Sequence, residues 1–208
     1  MKLKLKRIRE LLGYAAELVK SEGFFAMARR ALGFFRRRFF GKRARYLPKQ
    51  KVLQAQRADV AARWQNGAAL PLISVCVPLY NTPEPYLRQF LASVFDQTST
   101  RWELCLADAS DEQHAYVGEI VAQRAAFAEK IAPAASRVKY VKVENRGISA
   151  NTNAAAALAT GEYLALADHD DILAPHAVYT LQMAILDSGA DFLYSDEALF
   201  KKSIRRPT

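Results

Sequence analysis

Leu72-Ile73-Ser74-Val75-Cys76-Val77-Pro78-Leu79-Tyr80-Asn81-Thr82-Pro83 is a compact apolar run that stops on polar residues and a proline. An apolar run of this length bounded by such a stop reads as a buried strand. Thr82 and Pro83 then read as the N-cap and first position of a helix. Its stripe is Leu87, Phe90, Leu91, Val94 and Phe95. The same alternation continues downstream. Strands are expected at residues 102–107, 138–143, 163–167 and 191–194. The helices between them are expected at 112–131, 149–159 and from Pro175 through Leu186. Lysines among the apolar residues of 138–143 give that strand a half-exposed position.

Strands alternating with helices predict an α/β fold, a mostly parallel sheet with helices on both faces. In such sheets ligands bind at the carboxyl ends of the strands, where the strand order reverses. Polar residues gather at these ends: Tyr80 and Asn81, Asp108, Asn145, and Asp168-His169-Asp170-Asp171.

Working outward, charge divides the chain unevenly. Residues 1–50 hold 15 Lys and Arg against three Glu, and residues 51–208 hold 15 against 18 Asp and Glu. The protein reads as a faintly acidic domain at 72–208, a linker helix at 49–71, and a basic amphipathic helical arm at 1–48. In the arm, Phe24, Phe25, Phe35 and Phe39 interleave with Arg29, Arg30 and Arg36-Arg37-Arg38. Such a face suits an anionic bilayer surface through residues 1–46, or a helix packed with its basic side solvated; nucleic acid is not expected. No run of 18 apolar residues is present, so no spanning helix is expected. Without a secretory signal pattern, the expected location is cytoplasmic or peripheral on the inner face of the membrane. Cys76 and Cys105 lack Cys-x-x-Cys spacing and read as buried reduced thiols.

The acidic turn is the strongest chemical signal. On an extended chain, residues i and i+2 share a face, which would aim Asp168 and Asp170 the same way, roughly 7 Å apart. Two carboxylates so placed repel by about 2 kcal/mol at an effective dielectric near 20. Mg²⁺ or Mn²⁺ would relieve this, taking one or two carboxylates plus water and phosphate oxygens. Spacing alone equally allows a capping turn ahead of the Pro175 helix. No Gly-x-Gly-x-x-Gly follows the first strand, and no Gly-x-x-x-x-Gly-Lys-[Ser/Thr] occurs anywhere. A dinucleotide fingerprint and a P-loop are therefore absent.

Four stretches resemble the signatures of family 2 glycosyltransferases of the GT-A (Rossmann-like) fold, in the family's order. They are residues 73–82, Asp108-Ala109-Ser110, Asn145-Arg146-Gly147-Ile148-Ser149-Ala150-Asn151-Thr152-Asn153, and Gly161-Glu162-Tyr163 with the acidic turn. The turn and Tyr194-Ser195-Asp196-Glu197 look closest to rhamnosyltransferase-like bacterial members that build surface polysaccharides. The resemblance implies a donor site for a UDP- or dTDP-linked sugar. Pro78, Tyr80 and Asn81 would line the base and ribose pocket. Asp108 would accept from a base N–H, and Asn145, Gly147 and Asn153 would pass the diphosphate. Asp168 and Asp170 would face the donor, with Asp170 and Asp171 on the metal. It further implies transfer with inversion and a general base lying beyond residue 208, so that this chain is a truncated donor-binding half. Many relatives carry Arg where this chain has Thr152.

Overall fold

The structure is a computed structural model that describes residues 48–131, 137–195 and 197–198. The basic arm lies outside these residues. The first element is helix α1, Gln50–Gln65. It does not stand apart as a linker. Leu53 and Val60 are buried, Arg57 pairs with Asp96 at 3.2 Å, and Tyr179 donates to Asp59 at 2.9 Å.

Four strands follow: β1 Ile73–Leu79, β2 Trp102–Asp108, β3 Val138–Lys142 and β4 Tyr163–Leu166. All pair in parallel, in the order β3-β2-β1-β4. The connecting helices are α2 Glu84–Phe95, α3 Tyr116–Ile131, α4 Ile148–Ala156 and α5 Ala177–Ser188. A 3₁₀ turn, Glu112–His114, precedes α3.

Period-2 alternation divides the sheet. On one face Ile73, Val75, Val77 and Leu79 join Trp102, Leu104 and Leu106 under Leu87, Phe90, Val117, Ile120, Val178 and Ile185 of the helices. On the other face Cys76, Cys105 and Ala107 pack on Ala155 of α4. Helices thus cover both faces, as the sequence predicts, and both cysteines are buried and free. Edge strand β3 is half-exposed. Gly189 ends α5 in the left-handed region at φ 63° and donates its N–H to Ile185 O. Among the described residues no helix is long and apolar enough to cross a membrane.

Two local expectations fail. Thr82 is not the cap of α2; Pro83 occupies that place without a side-chain bond, and the Thr82 hydroxyl is buried with no partner. Residues 191–194 form no strand. Phe192 and Tyr194 are 83% and 89% exposed. The segment is apolar enough for a strand, but it pairs with no described strand.

Candidate functional site

The chain lays β1, β2 and β3 outward in one direction, then crosses back to put β4 on the other side of β1. The order therefore reverses between β1 and β4, which is where an open parallel sheet offers a crevice. A cavity of about 230 Å³ lies there, lined by Cys76, Pro78, Thr152, Leu166, Ala167, Asp168 and Asp171.

Pro78 helps explain the opening. Backbone groups of alternate strand residues face opposite neighbours. Cys76 O accepts from Ala167 N on the β4 side, and Leu79 O accepts from Ala109 N on the β2 side. Pro78 therefore turns its nitrogen toward β4, beyond the last paired residues Cys76 and Leu166. A proline is excluded from inner strands because it lacks the ladder N–H. Here the missing donor falls where the ladder has already ended.

The acidic turn is not extended. Asp171 N donates to Asp168 O at 3.2 Å, closing a tight turn. The extended backbone that would put Asp168 and Asp170 on one face is therefore absent: the residues of the turn that line the cavity are Asp168 and Asp171, and Asp170 is not among its walls. Desolvation at the cavity wall raises the Asp171 carboxyl above its ordinary value, and the negative charges of Asp170, Asp168 and Glu197 add to the rise. No carboxylate there is answered by a cation of the described residues.

A hard divalent cation fits this unanswered charge. Among the described residues no three His, Cys, Asp or Glu side chains group to enclose a metal ion. A cation at the turn would thus take few protein ligands, as Mg²⁺ or Mn²⁺ does when phosphate and water complete the shell. His169 has a buried Nδ1 without a partner.

The neighbouring strand ends are stapled together. Asn81 adopts a left-handed backbone at φ 49°. Its N–H donates to Ser110 Oγ, its amide donates to Asp111 Oδ2, and its Oδ1 accepts from Asp111 N. Tyr80 beside it stands 49% exposed. Asp108 is only 1% exposed. Its Oδ1 accepts from Ser110 N at 2.8 Å, and its Oδ2 accepts from Tyr140 Oη at 2.6 Å and Lys142 Nζ at 3.1 Å. Burial pushes this carboxyl up, but the bonds from Ser110, Tyr140 and Lys142 together hold it below the usual range. Three of the roughly four acceptor positions of this carboxylate are thus filled, and its 1% exposure leaves little of it open to a ligand.

Asn145 and Gly147 shape the entry to α4. Asn145 Oδ1 accepts from Gly147 N and from Nδ2 of buried Asn151, and Gly147 caps the helix at φ 88°. Asn153 is exposed and off the cavity; its neighbour Thr152 lines it, with the hydroxyl bonded to Ile148 O. Thr152, where the family resemblance leads one to expect Arg, is thus the α4 residue on the cavity among the described residues. Sequence reading missed Cys76, Thr152, Leu166, Tyr140 and Lys142. Only Thr152, as the departure from the family pattern, carried a signal.

The model of glycosyl transferase family 2 matches residues 74–196. The chain belongs to that family. The chain is 36% identical over 152 residues to the uncharacterized protein y4gI of Sinorhizobium fredii, covering 71% of this chain and 15% of that protein. It is 32% identical over 130 residues to the O-antigen biosynthesis protein RfbC of Myxococcus xanthus, covering 61% and 10%. The chain thus spans a small part of the length of these curated relatives. Its fold also resembles S. aureus TarS in complex with UDP-GlcNAc, at TM-score 0.47 and 20% identity, covering 63% of this chain and 38% of that one.

Proposed function

We propose that this glycosyltransferase-family chain holds the sugar diphosphate of a nucleotide sugar, UDP- or dTDP-linked, at the split between β1 and β4. The observation that carries the reading is the cavity at the point of strand-order reversal, with Asp168 and Asp171 on its wall. Pro78 and the α4 residue Thr152 face the same space. Tyr80 and Asn81, at the mouth of β1, line the ribose, and the α4 entry at Asn145 and Gly147 passes the phosphates. Asn153 and Asp170 belong to the outer part of the site.

Asp168 and Asp171, with Asp170 near them, would hold Mg²⁺ or Mn²⁺. When bound, the metal supplies charge neutralisation for the departing diphosphate. The chain's own residues bind and orient the donor, and the apolar wall of Leu166 and Ala167 limits water beside the sugar. Direct attack by an acceptor hydroxyl gives inversion. Apart from Asp168 and Asp171, no carboxylate lines the cavity among the described residues, so a general base is not assigned to them. Family relatives such as RfbC and a chondroitin synthase of Escherichia coli support a saccharide or lipid-linked acceptor in cell-surface polysaccharide synthesis.

Calorimetric titration with UDP and dTDP in the presence of Mn²⁺ tests the reading. Binding should weaken at least about tenfold in Asp168→Ala and in Asp171→Ala, the loss of one charge-assisted contact. No binding by the wild-type chain, or binding indifferent to both substitutions, sinks the donor site.

A further inference from the structure

Helices α2 and α3 leave a groove between them of about 290 Å³, lined by Leu91, Ile120, Arg88, Arg124 and Phe127. Leu91 and Ile120 are buried and form its apolar floor. Its two cations differ. Arg88 is paired with Glu84 at 2.7 Å. Arg124 meets two rings instead: its guanidinium carbon lies 4.6 Å from the centroid of Phe95 and 5.6 Å from that of Phe127. Its Nε is buried without a hydrogen-bond partner among the described residues. A buried donor on a charged group costs free energy until an acceptor reaches it. Phe127 stands 53% exposed, so the groove sets an apolar wall beside an unanswered cation. That combination suits a carboxylate next to an aromatic ring.

The chain itself displays such a pair. Asp191, Phe192 and Tyr194 are exposed, the two rings by 83% and 89%, while Leu193 between them packs on the core. Leu193 thus anchors the segment and leaves the rings on either side of it facing out. Clustered exposed aromatics mark contact surfaces, and aromatic rings dominate binding where they become buried. The segment is badly placed to use its own groove. Tyr163 Oη donates to Ala190 O and so ties the segment's start to the β4 edge. In contrast, α2 joins β1 to β2 and α3 joins β2 to β3, which sets the groove toward the other edge of the order β3-β2-β1-β4. We propose that residues 191–194 of one copy dock in the α2–α3 groove of a second copy, with the Phe192 ring on Phe127 and the Asp191 carboxylate on Arg124. None of these residues lines the donor cavity. The two surfaces differ, so the contact is head-to-tail: a dimer keeps one free groove and one free segment, and association continues past it or closes into a ring.

Sedimentation velocity of the full chain over a concentration series tests this. The wild type should grow past the dimer as concentration rises, with the weak affinity of a small interface. Arg124→Glu should weaken association at least about tenfold, the scale of a charged hydrogen bond. The double substitution Phe192→Ser with Tyr194→Ser should do the same, at positions exposed enough to spare the fold. Mixed one to one, the two variants should form a dimer and stop there, because only one intact groove and one intact segment remain between them. A symmetric contact would not be restored by mixing. A wild type that stays monomeric up to about 1 mM, association that either variant leaves unchanged, or a mixture that stays monomeric overturns the proposal. If Arg124→Glu does not fold, the exposed-ring variant decides, and association equal to the wild type's is then fatal.

Discussion

A carboxylate inside a parallel sheet must be answered where it stands, because an unpaired buried charge is far costlier than a paired one. Glu103 is 6% exposed and is answered four times. It accepts from Ser74 Oγ at 2.7 Å, Thr160 N at 2.6 Å and Thr160 Oγ1 at 2.9 Å, and pairs with Lys139 at 2.8 Å. Burial pushes its carboxyl up, but Lys139, Thr160 and Ser74 outweigh this and bring it from 4.5 down to about 2. A depressed folded value means stability that is complete above about 4.5 and lost as pH falls toward about 2. Glu103→Gln should lower stability at pH 7 by about 1–3 kcal/mol in urea unfolding and flatten the acid limb of the stability curve. An acid limb as steep as the wild type's would remove Glu103 from this role. Asp171 is shifted the opposite way, and the contrast sorts the two sites. Bonds within the fold hold Glu103 down, whereas desolvation and like charges raise Asp171. The like charges around Asp171 were legible, because Asp168 and Asp170 are its neighbours in sequence. Glu103 and Lys139 meet only through strand register.

At the scale of elements, Gly161 marks where the chain leaves α4 and enters β4. A Cβ there would stand 2.6 Å from both Leu72 O and Ser74 Oγ, so the lead-in to β4 lies directly on β1. Gly161→Ala should cost about 1–3 kcal/mol from overpacking, read as a lowered urea midpoint at unchanged slope. A midpoint equal to the wild type's would mean that this approach relaxes without strain. The strands at β1 and β2 were readable because they are buried on both faces and keep an unbroken apolar run. The segment 191–194 has the same texture and forms no strand. Apolarity states what a segment would gain by burial, but a ladder also needs a partner with free backbone groups. The acidic turn misled by a related route. Period-2 geometry holds only while the backbone stays extended, and the bond from Asp171 N to Asp168 O ends it. Pro78 could be read as a pocket residue from the family pattern alone. Why a proline is tolerated there follows only from where β4 stops pairing.

For the whole molecule, charge is distributed as if it had two jobs. The arm of residues 1–46 holds nearly half of the Lys and Arg of the chain, while the rest is faintly acidic and carries the acidic turn. Acidic carboxylates on a cavity wall repel an anionic donor until a cation neutralises them, so the domain gains nothing from facing an anionic surface directly. The arm's basic residues, interleaved with phenylalanines, have the opposite preference: each Lys or Arg near an anionic membrane contributes about 1 kcal/mol, and the rings add apolar burial at the headgroup boundary. We propose that the arm binds an anionic membrane surface. Co-sedimentation with phosphatidylserine-containing vesicles should fall at least about tenfold when residues 1–46 are deleted. It should also weaken as salt rises from about 0.1 M to 1 M, where the screening length drops from about 10 Å to 3 Å. Nucleotide binding in solution should be unchanged by the deletion, since the described residues that line the cavity all lie outside the arm. Vesicle binding that survives the deletion would move the membrane contact onto the domain and leave the arm's charge without this role.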